Sequence, residues 1–412
     1  MATASYAIAG NSRTSAVPSA TRDHAVLAFA SLQMFALIYL QKFALGSSGT
    51  QLGVPMLIMF AGVGYMIMFG HLEFDLSRVG VYLMFGAACL LTYSLRAGSI
   101  MSVLQLILLY LWFAVYAPVS EETYRRIVNR FVVLMIIPAI IVLVQYFYQK
   151  ITNLSDPISM TGLVPDSILM HGFMYESHFP WNSPFMRPNG FFFLEPSLFS
   201  AFCATAAILE ITYSRRPYMI ALMLAATALS LGATGMLMLV LAAPFLLYKE
   251  PPQLVIGLLI VGMIAIGTAY MLDIPLPLLS RVNEFDDESS SGSGRLLLPA
   301  MRLIDLIMDP SYLFVGDGAG SVTPSNNATV VGEMLMNAWP FVKLVNEYGL
   351  LAMVSFGVFY GLGIIGNFNV ALKVVLSFTF FFTGGYLLNP PVVELIALTC
   401  VMIVPTRKLS NG

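Results

Sequence analysis

Charge is what this chain has least of. Only 10% of its 412 residues are Asp, Glu, Lys or Arg, where a soluble domain carries about 25%. Hydrophobic residues make up 58%, and that balance belongs to a protein that crosses a membrane several times. No tract rich in Lys and Arg is present, which argues against nucleic acid as a partner. There are three cysteines, Cys89, Cys203 and Cys400. All lie in apolar runs and read as small packing residues. No Cys/His cluster has metal-ligand spacing, so no metal site and no cofactor is expected. The chain also lacks Gly-Lys-Ser/Thr in its glycine-rich stretch at 316–320, so that stretch is not a nucleotide-phosphate loop. Asp286-Asp287 lacks the Asp-x-Asp spacing of a nucleotide-sugar metal site.

What is present is a series of hydrophobic stretches. About twelve approach the ~20 residues a bilayer requires. They lie near 25–41, 53–70, 77–95, 99–117, 127–148, 191–212, 217–232, 234–248, 253–272, 341–364, 369–388 and 389–405. The pair at 217–248 reads equally as one re-entrant unit. The expected fold is an all-α polytopic membrane protein. A polar tail at 1–24 and a short tail at 406–412 flank a transmembrane domain at 25–405. The first tail has no apolar core or cleavage pattern, so no removable signal peptide is expected. Basic residues set the orientation. With both termini in the cytoplasm, Arg78, Arg125, Arg126, Arg130, Arg215, Arg216, Lys249 and Lys373 fall inside, and short outer loops hold only Lys42 and Arg96.

Two long segments, 149–190 and 273–340, then fall on the same outer face. Loops of this length are functional or disordered as a rule. The second opens with the acidic, Ser/Gly-rich run at 286–294. Arg295, Arg302 and Asp305 follow at helical spacing, with Pro299 near the start. The pattern predicts a short amphipathic helix on the outer membrane surface. No internal repeat is visible, which weakens a transporter reading built on duplicated halves.

The most informative stretch is Arg187-Pro188-Asn189-Gly190-Phe191-Phe192-Phe193-Leu194-Glu195-Pro196-Ser197. A guanidinium and a carboxylate stand at the entry to a hydrophobic span, where a carboxylate is costly. Glu195 reads either as a helix cap before Pro196 or as an acceptor or base in a site where Arg187 holds an anion.

This stretch resembles the Arg…Gly…Glu-Pro-Ser signature of the O-antigen ligase and polysaccharide polymerase superfamily. Gly294-Arg295 is similar to that superfamily's Gly-Arg in its large periplasmic loop. Asp309-Pro310 with Gly316-Asp317-Gly318-Ala319-Gly320 resembles its later Pro…Gly-x-Gly stretch. Asn346-Glu347-Tyr348-Gly349-Leu350 resembles its Glu-x-Gly-Leu entry into the next span. The matches run in order over about 187–355.

The resemblance implies a metal-independent, inverting membrane glycosyltransferase at the periplasmic face of a bacterial inner membrane. Its partners would be an undecaprenyl-diphosphate-linked oligosaccharide, an acceptor glycan, membrane lipids, and other polysaccharide export or chain-length proteins. Arg187, Glu195 and Arg295 are the expected catalytic residues. Arg302, Lys343 and His178 are expected at the substrate. Fixed guanidinium groups suit a diphosphate leaving group that gains charge. Pairing of Arg302 with Asp305 or Asp309 is the alternative for that residue, and interfacial snorkelling is the alternative for Lys343. One departure matters. Ligases of the superfamily carry a histidine shortly before Glu-x-Gly, and residues 336–343 hold none. A polymerase is therefore favoured over a ligase, with a flippase as a rival of another class. The base stays open among His171, His178, Glu195 and Glu333. Glu394, early in the last span, is expected to be a buried polar partner.

Overall fold

The computed structural model describes residues 19–46, 51–96, 98–152, 158–160, 162–171, 173, 178, 185–249, 298–308, 310–322, 330–331, 334–335, 338–365 and 369–406. Among these, helices dominate: α1 (Ser19–Tyr39), α2 (Val54–Met68), α3 (Leu76–Arg96), α4 (Ile100–Tyr110), α5 (Glu121–Thr152), α6 (Pro196–Leu209), α7 (Pro217–Leu229), α8 (Ala233–Lys249), α9 (Leu298–Met308), α10 (Pro310–Val315), α11 (Pro340–Ile365), α12 (Val370–Phe382) and α13 (Pro390–Ile396). The strands are short ties between loops.

Among the described residues, four helical stretches are long and apolar enough to cross a membrane: Leu76–Arg96, Glu121–Thr152, Pro196–Ser214 and Pro340–Ile365. Six more apolar helices have only 10–17 residues. The expected span at 253–272 lies outside the described residues. The pair at 217–248 shows why length falls short. α7 ends after 13 residues, and Leu231 turns the chain with a left-handed φ of 54° into α8.

The surface of α5 is apolar on the outside. Val133, Ile137, Ile140, Val144, Phe147 and Ile151 are all exposed at helical spacing. That stripe runs about 27 Å along the axis, close to the ~30 Å of a hydrocarbon core. A stripe of this kind has no place facing water and suits lipid. The first turns of α5 are different: Glu121–Arg125 and Glu122–Arg126 form exposed pairs there.

Contacts join the inter-helix segments at two opposite ends. At one end, the strand Glu73–Phe74 pairs with Val115–Ser120, which pairs in parallel with Ile403–Thr406. Arg22 bonds Glu73 at 3.0 Å. Asp23 accepts from the Ser120 hydroxyl at 2.5 Å and the Thr123 hydroxyl at 2.9 Å. At the other end, Ala44–Leu45 pairs with Leu52–Gly53, Phe43 bridges Leu169, and Gly98 bridges Ala319.

α5 carries Pro138 in its interior. Proline has no N–H, so the carbonyl of Leu134 loses its helical partner. The Tyr39 hydroxyl donates to that carbonyl at 2.7 Å. The later chain packs closely against this part of α5: a Cβ on Gly190 would lie 3.2 Å from the Pro138 carbonyl oxygen.

Candidate functional site

The segment carrying Arg187 and Glu195 is extended to Asn189, turns at 190–194 and folds into the bundle. Helix α6 begins only at Pro196, so the expected helix from 191 is corrected. Phe191 to Leu194 look like a helix start by hydropathy. Gly190 and Phe191 instead take φ values of 69° and 68°, which ends any approach to helical geometry. The backbone donors of this segment have identified partners. Met186 N–H donates to Gln149 Oε1 at 2.9 Å and Gly190 N–H to Gln145 Oε1 at 3.0 Å. Phe191 N–H donates to Asn189 Oδ1 at 3.0 Å, and Leu194 N–H to Gln41 Oε1 at 3.3 Å. Buried backbone cannot go unpaired, and three glutamines from α5 and the end of α1 supply acceptors for three of these donors.

Glu195 holds the N-cap position of α6, with φ −145° and ψ 153°, yet its side chain makes no capping bond. Its Oε2 accepts from the Ser197 hydroxyl at 2.9 Å. Ser200 continues the polar line, donating to the Ser197 carbonyl at 2.8 Å and accepting from Gly235 N–H at 3.0 Å. The tip between α7 and α8 thus rests on the first turn of α6. Gly232 and Gly235 are needed there, since a Cβ on either would meet Ser200 within 2.8 Å. Glu195 is half-buried, so the carboxylate sits at a helix start, oriented by a hydroxyl. His178 pairs by backbone with Met186 in an isolated antiparallel bridge. Its chain segment therefore lies beside Arg187. His171 is exposed, and its N–H donates to Gln51 Oε1 at 2.7 Å.

Arg302 and Lys343 belong to a second group, on α9 and α11. Arg302 Nε donates to Asn346 Oδ1 at 2.8 Å. Among the described residues no carboxylate pairs with it, and Asp305 on the same helix stays exposed. Asn346 is itself fixed: its amide donates to Ser321 Oγ at 3.2 Å, and its carbonyl accepts Asp317 N–H at 2.6 Å. Lys343 does not snorkel, which corrects that expectation. Its Nζ lies 3.5 Å from Glu347 Oε1, with the lysine side chain 14% exposed and the glutamate 0%. Val322 N–H also donates to that carboxylate at 3.2 Å. A buried carboxylate needs such partners.

The stretch 316–320 is the expected turn. It wraps a break in α11, where Gly349 has φ 78° and ψ 176°. A Cβ on Gly349 would lie 2.2 Å from the Phe314 carbonyl oxygen, and one on Gly316 would lie 2.8 Å from the backbone at 347–349. Two backbones cross here, and only glycine permits it.

α9 is amphipathic in an unexpected sense. Leu306 packs on Val342 and Val345, and Arg302 turns under the helix to Asn346. The outward residues are Met301, Ile304, Ile307 and Met308, with Asp305 the exposed charge among them. The charges expected to share one side of the helix are parted: Arg302 goes to the partner beneath it, and Asp305 stays outside.

Arg295 and Glu333 lie outside the described residues, as do Arg281 and 286–294. Glu394 is fully buried on α13, and Gln33 Nε2 bridges its Oε2 at 2.5 Å and the Pro55 carbonyl at 3.0 Å. Among the described residues no group of His, Cys, Asp and Glu has the arrangement to hold a metal ion. Arg187, Glu195 and His178 thus share one scaffold of α1, α5 and α6, and Arg302 and Lys343 share another. Gln41, Gln145, Gln149 and Asn346 were not among the expected site residues. Their signal was available: an amide inside an apolar span is costly unless it bonds something specific. No protein family matches the chain when it is compared with known families, and no characterised protein matches it in sequence.

Proposed function

We propose that the protein joins lipid-diphosphate-linked oligosaccharide repeat units into a polysaccharide at the outer face of a bacterial inner membrane. The observation that carries this reading is the segment 185–195, a cation and a carboxylate on a stretch of chain fixed to the inner face of α5 by buried side-chain amides. Polar backbone brought into the bundle in this way suits a site and is not required for packing. The order of motifs set out above supports the reading further.

In this reaction the acceptor sugar hydroxyl attacks the anomeric carbon of the donor. The new C–O bond forms as the bond to the diphosphate breaks, and the lipid diphosphate leaves with the electron pair. The hydroxyl proton passes to a base, for which Glu195, oriented by Ser197, and His178 are the candidates. Arg187 stabilises the leaving diphosphate, where charge develops. Arg302, whose terminal nitrogens meet no carboxylate among the described residues, supports the phosphoryl groups.

The test is a deletion strain whose carrier-linked glycans are sized. Single repeat units accumulating on the carrier are expected. Long polymer left on the carrier would make the protein a ligase. Repeat units held on the cytoplasmic side would make it a flippase. Complementation with Arg187→Ala at wild-type abundance is expected to restore polymer at least about a hundredfold less well, and Arg187→Lys to rescue poorly for want of the planar fork.

A further inference from the structure

We infer that Gln145 and Gln149 are positioning residues, two buried side-chain amides that fix the backbone on both sides of Arg187. The inference rests on the reading of Arg187 given above.

The geometry is specific. Gln149 is 2% exposed and Gln145 is 0% exposed, one helical turn apart on α5. Gln149 treats Met186 as a strand would treat its partner. Its Nε2 donates to the Met186 carbonyl at 3.0 Å, and its Oε1 accepts the Met186 N–H at 2.9 Å. Opposite polarities on one residue assign the amide's orientation without ambiguity. Gln145 holds the far side. Its Oε1 accepts Gly190 N–H at 3.0 Å, and its Nε2 donates to the Ile158 carbonyl at 2.8 Å. One amide therefore ties two distant parts of the outer segment 149–190 to one another. Gln149 Nε2 also reaches the Gln145 carbonyl at 3.2 Å, which links the two clamps. Phe185, just before the clamped residue, is stacked edge-on to Tyr146 at 5.5 Å and lies under Lys150 at 5.4 Å.

Between the two clamps stand Arg187, Pro188 and Asn189. Proline at 188 fixes its own φ and removes a donor. The Asn189 side chain is spent on Phe191 N–H. The stretch therefore has little freedom left, and Arg187 leaves it from a set place. Ordinary packing does not call for this. Leu or Ile at 145 and 149 would fill the same volume in a span without burying two amides. A catalytic guanidinium has the opposite need, because a misplacement of about 1 Å can cost on the order of a hundredfold in rate.

The test uses purified full-length protein in proteoliposomes, so that abundance does not enter. The substrate is the lipid-linked repeat unit extracted from the deletion strain. Gln149→Met keeps the volume and removes both bonds to Met186. Gln149→Asn keeps the amide but withdraws it by one methylene. Both are expected to lower kcat on the order of tenfold to a hundredfold. Gln149→Met also takes their partners from the Met186 N–H and C=O, so some fall in melting temperature is expected, and turnover is compared at a temperature where both proteins are folded. In an Arg187→Ala background, Gln149→Met is expected to add almost nothing, since its effect runs through Arg187. Wild-type turnover in Gln149→Met alongside a defective Arg187→Ala would overturn the clamp and leave the proposed function standing. So would losses that multiply in the double variant, which would mark a merely structural role. Wild-type turnover in Arg187→Ala itself would instead remove the proposed role of Arg187, and the clamp's purpose with it.

Discussion

Single residues in this chain show what a low-dielectric interior demands of a charge. Glu210 is 0% exposed at the end of the long α6 stretch, and Arg216 answers it in bidentate fashion, with Nε at 2.9 Å from Oε1 and Nη2 at 2.7 Å from Oε2. The Arg216 N–H adds a third bond at 2.9 Å. Removing one partner of such a pair leaves the other buried and uncompensated. Arg216→Ala is expected to destabilise the protein by about 3–5 kcal/mol. Arg216→Lys keeps the charge, loses the fork, and should fall between. Thermal unfolding in detergent decides it, and an unchanged melting temperature in Arg216→Ala would remove the pair from any account of stability. Nothing in the spacing singled out Glu210, because the pairing depends on the π-helical turn Glu210–Ser214 followed by a left-handed Arg215. By contrast, Lys343 and Glu347 stand at i,i+4, a spacing readable in advance. What spacing does not convey is that both sides of that pair are buried.

At the scale of elements, the crossing of α11 with the turn at 316–320 is the clearest case of structure set by glycine. The helix breaks at Gly349, and the freed backbone is reused: Asp317 N–H takes the Asn346 carbonyl, and the Thr92 hydroxyl donates to the Tyr348 carbonyl at 2.9 Å. Gly349 has a φ of 78° and a ψ of 176°, a region essentially closed to other residues and costing about 1–3 kcal/mol where it is forced. The clash with Phe314 comes on top. Gly349→Ala is therefore expected to lose more stability than that strain alone. Gly357 is the internal control. It lies on the same helix with nothing within 4 Å of an added Cβ, and Gly357→Ala should be neutral or gain up to about 1 kcal/mol. Equal melting temperatures for the two variants would mean that the crossing is not tight. Elements of this kind were partly legible. The helix starting at Pro196, the glycine turn and the helix around Pro299 follow from local chemistry. The extended chain at 185–189 and its turn at 190–194 did not, because their cause is a set of amides on other helices, distant in sequence.

The whole molecule is sorted into two ends by contacts that the sequence places far apart. Arg22, Glu73, Tyr116 and Thr406 gather at one end through the small sheet and its polar bonds. Lys42, Met170, Gly98 and Ala319 gather at the other. Between them runs the exposed apolar stripe of α5, with its ion-paired first turns at the first end. If that stripe lies in lipid, the first end and the second end face opposite compartments, and the basic residues put the first in the cytoplasm. Labelling tests this directly, because Cys89, Cys203 and Cys400 are all buried and give little background. Asp166 is exposed in a short turn of the outer segment. Glu122 is exposed at the start of α5, its side chain 74% accessible. Asp166→Cys is expected to react with a membrane-impermeant maleimide in intact spheroplasts. Glu122→Cys is expected to react only after lysis. Reaction of Glu122→Cys in intact cells would invert the orientation and place Arg187 on the cytoplasmic side, where a lipid-linked repeat unit is assembled and not polymerised in the proposed reaction. Labelling of both from one side would go further. It would mean that α5 does not cross the bilayer, and the lipid-facing stripe would need another occupant.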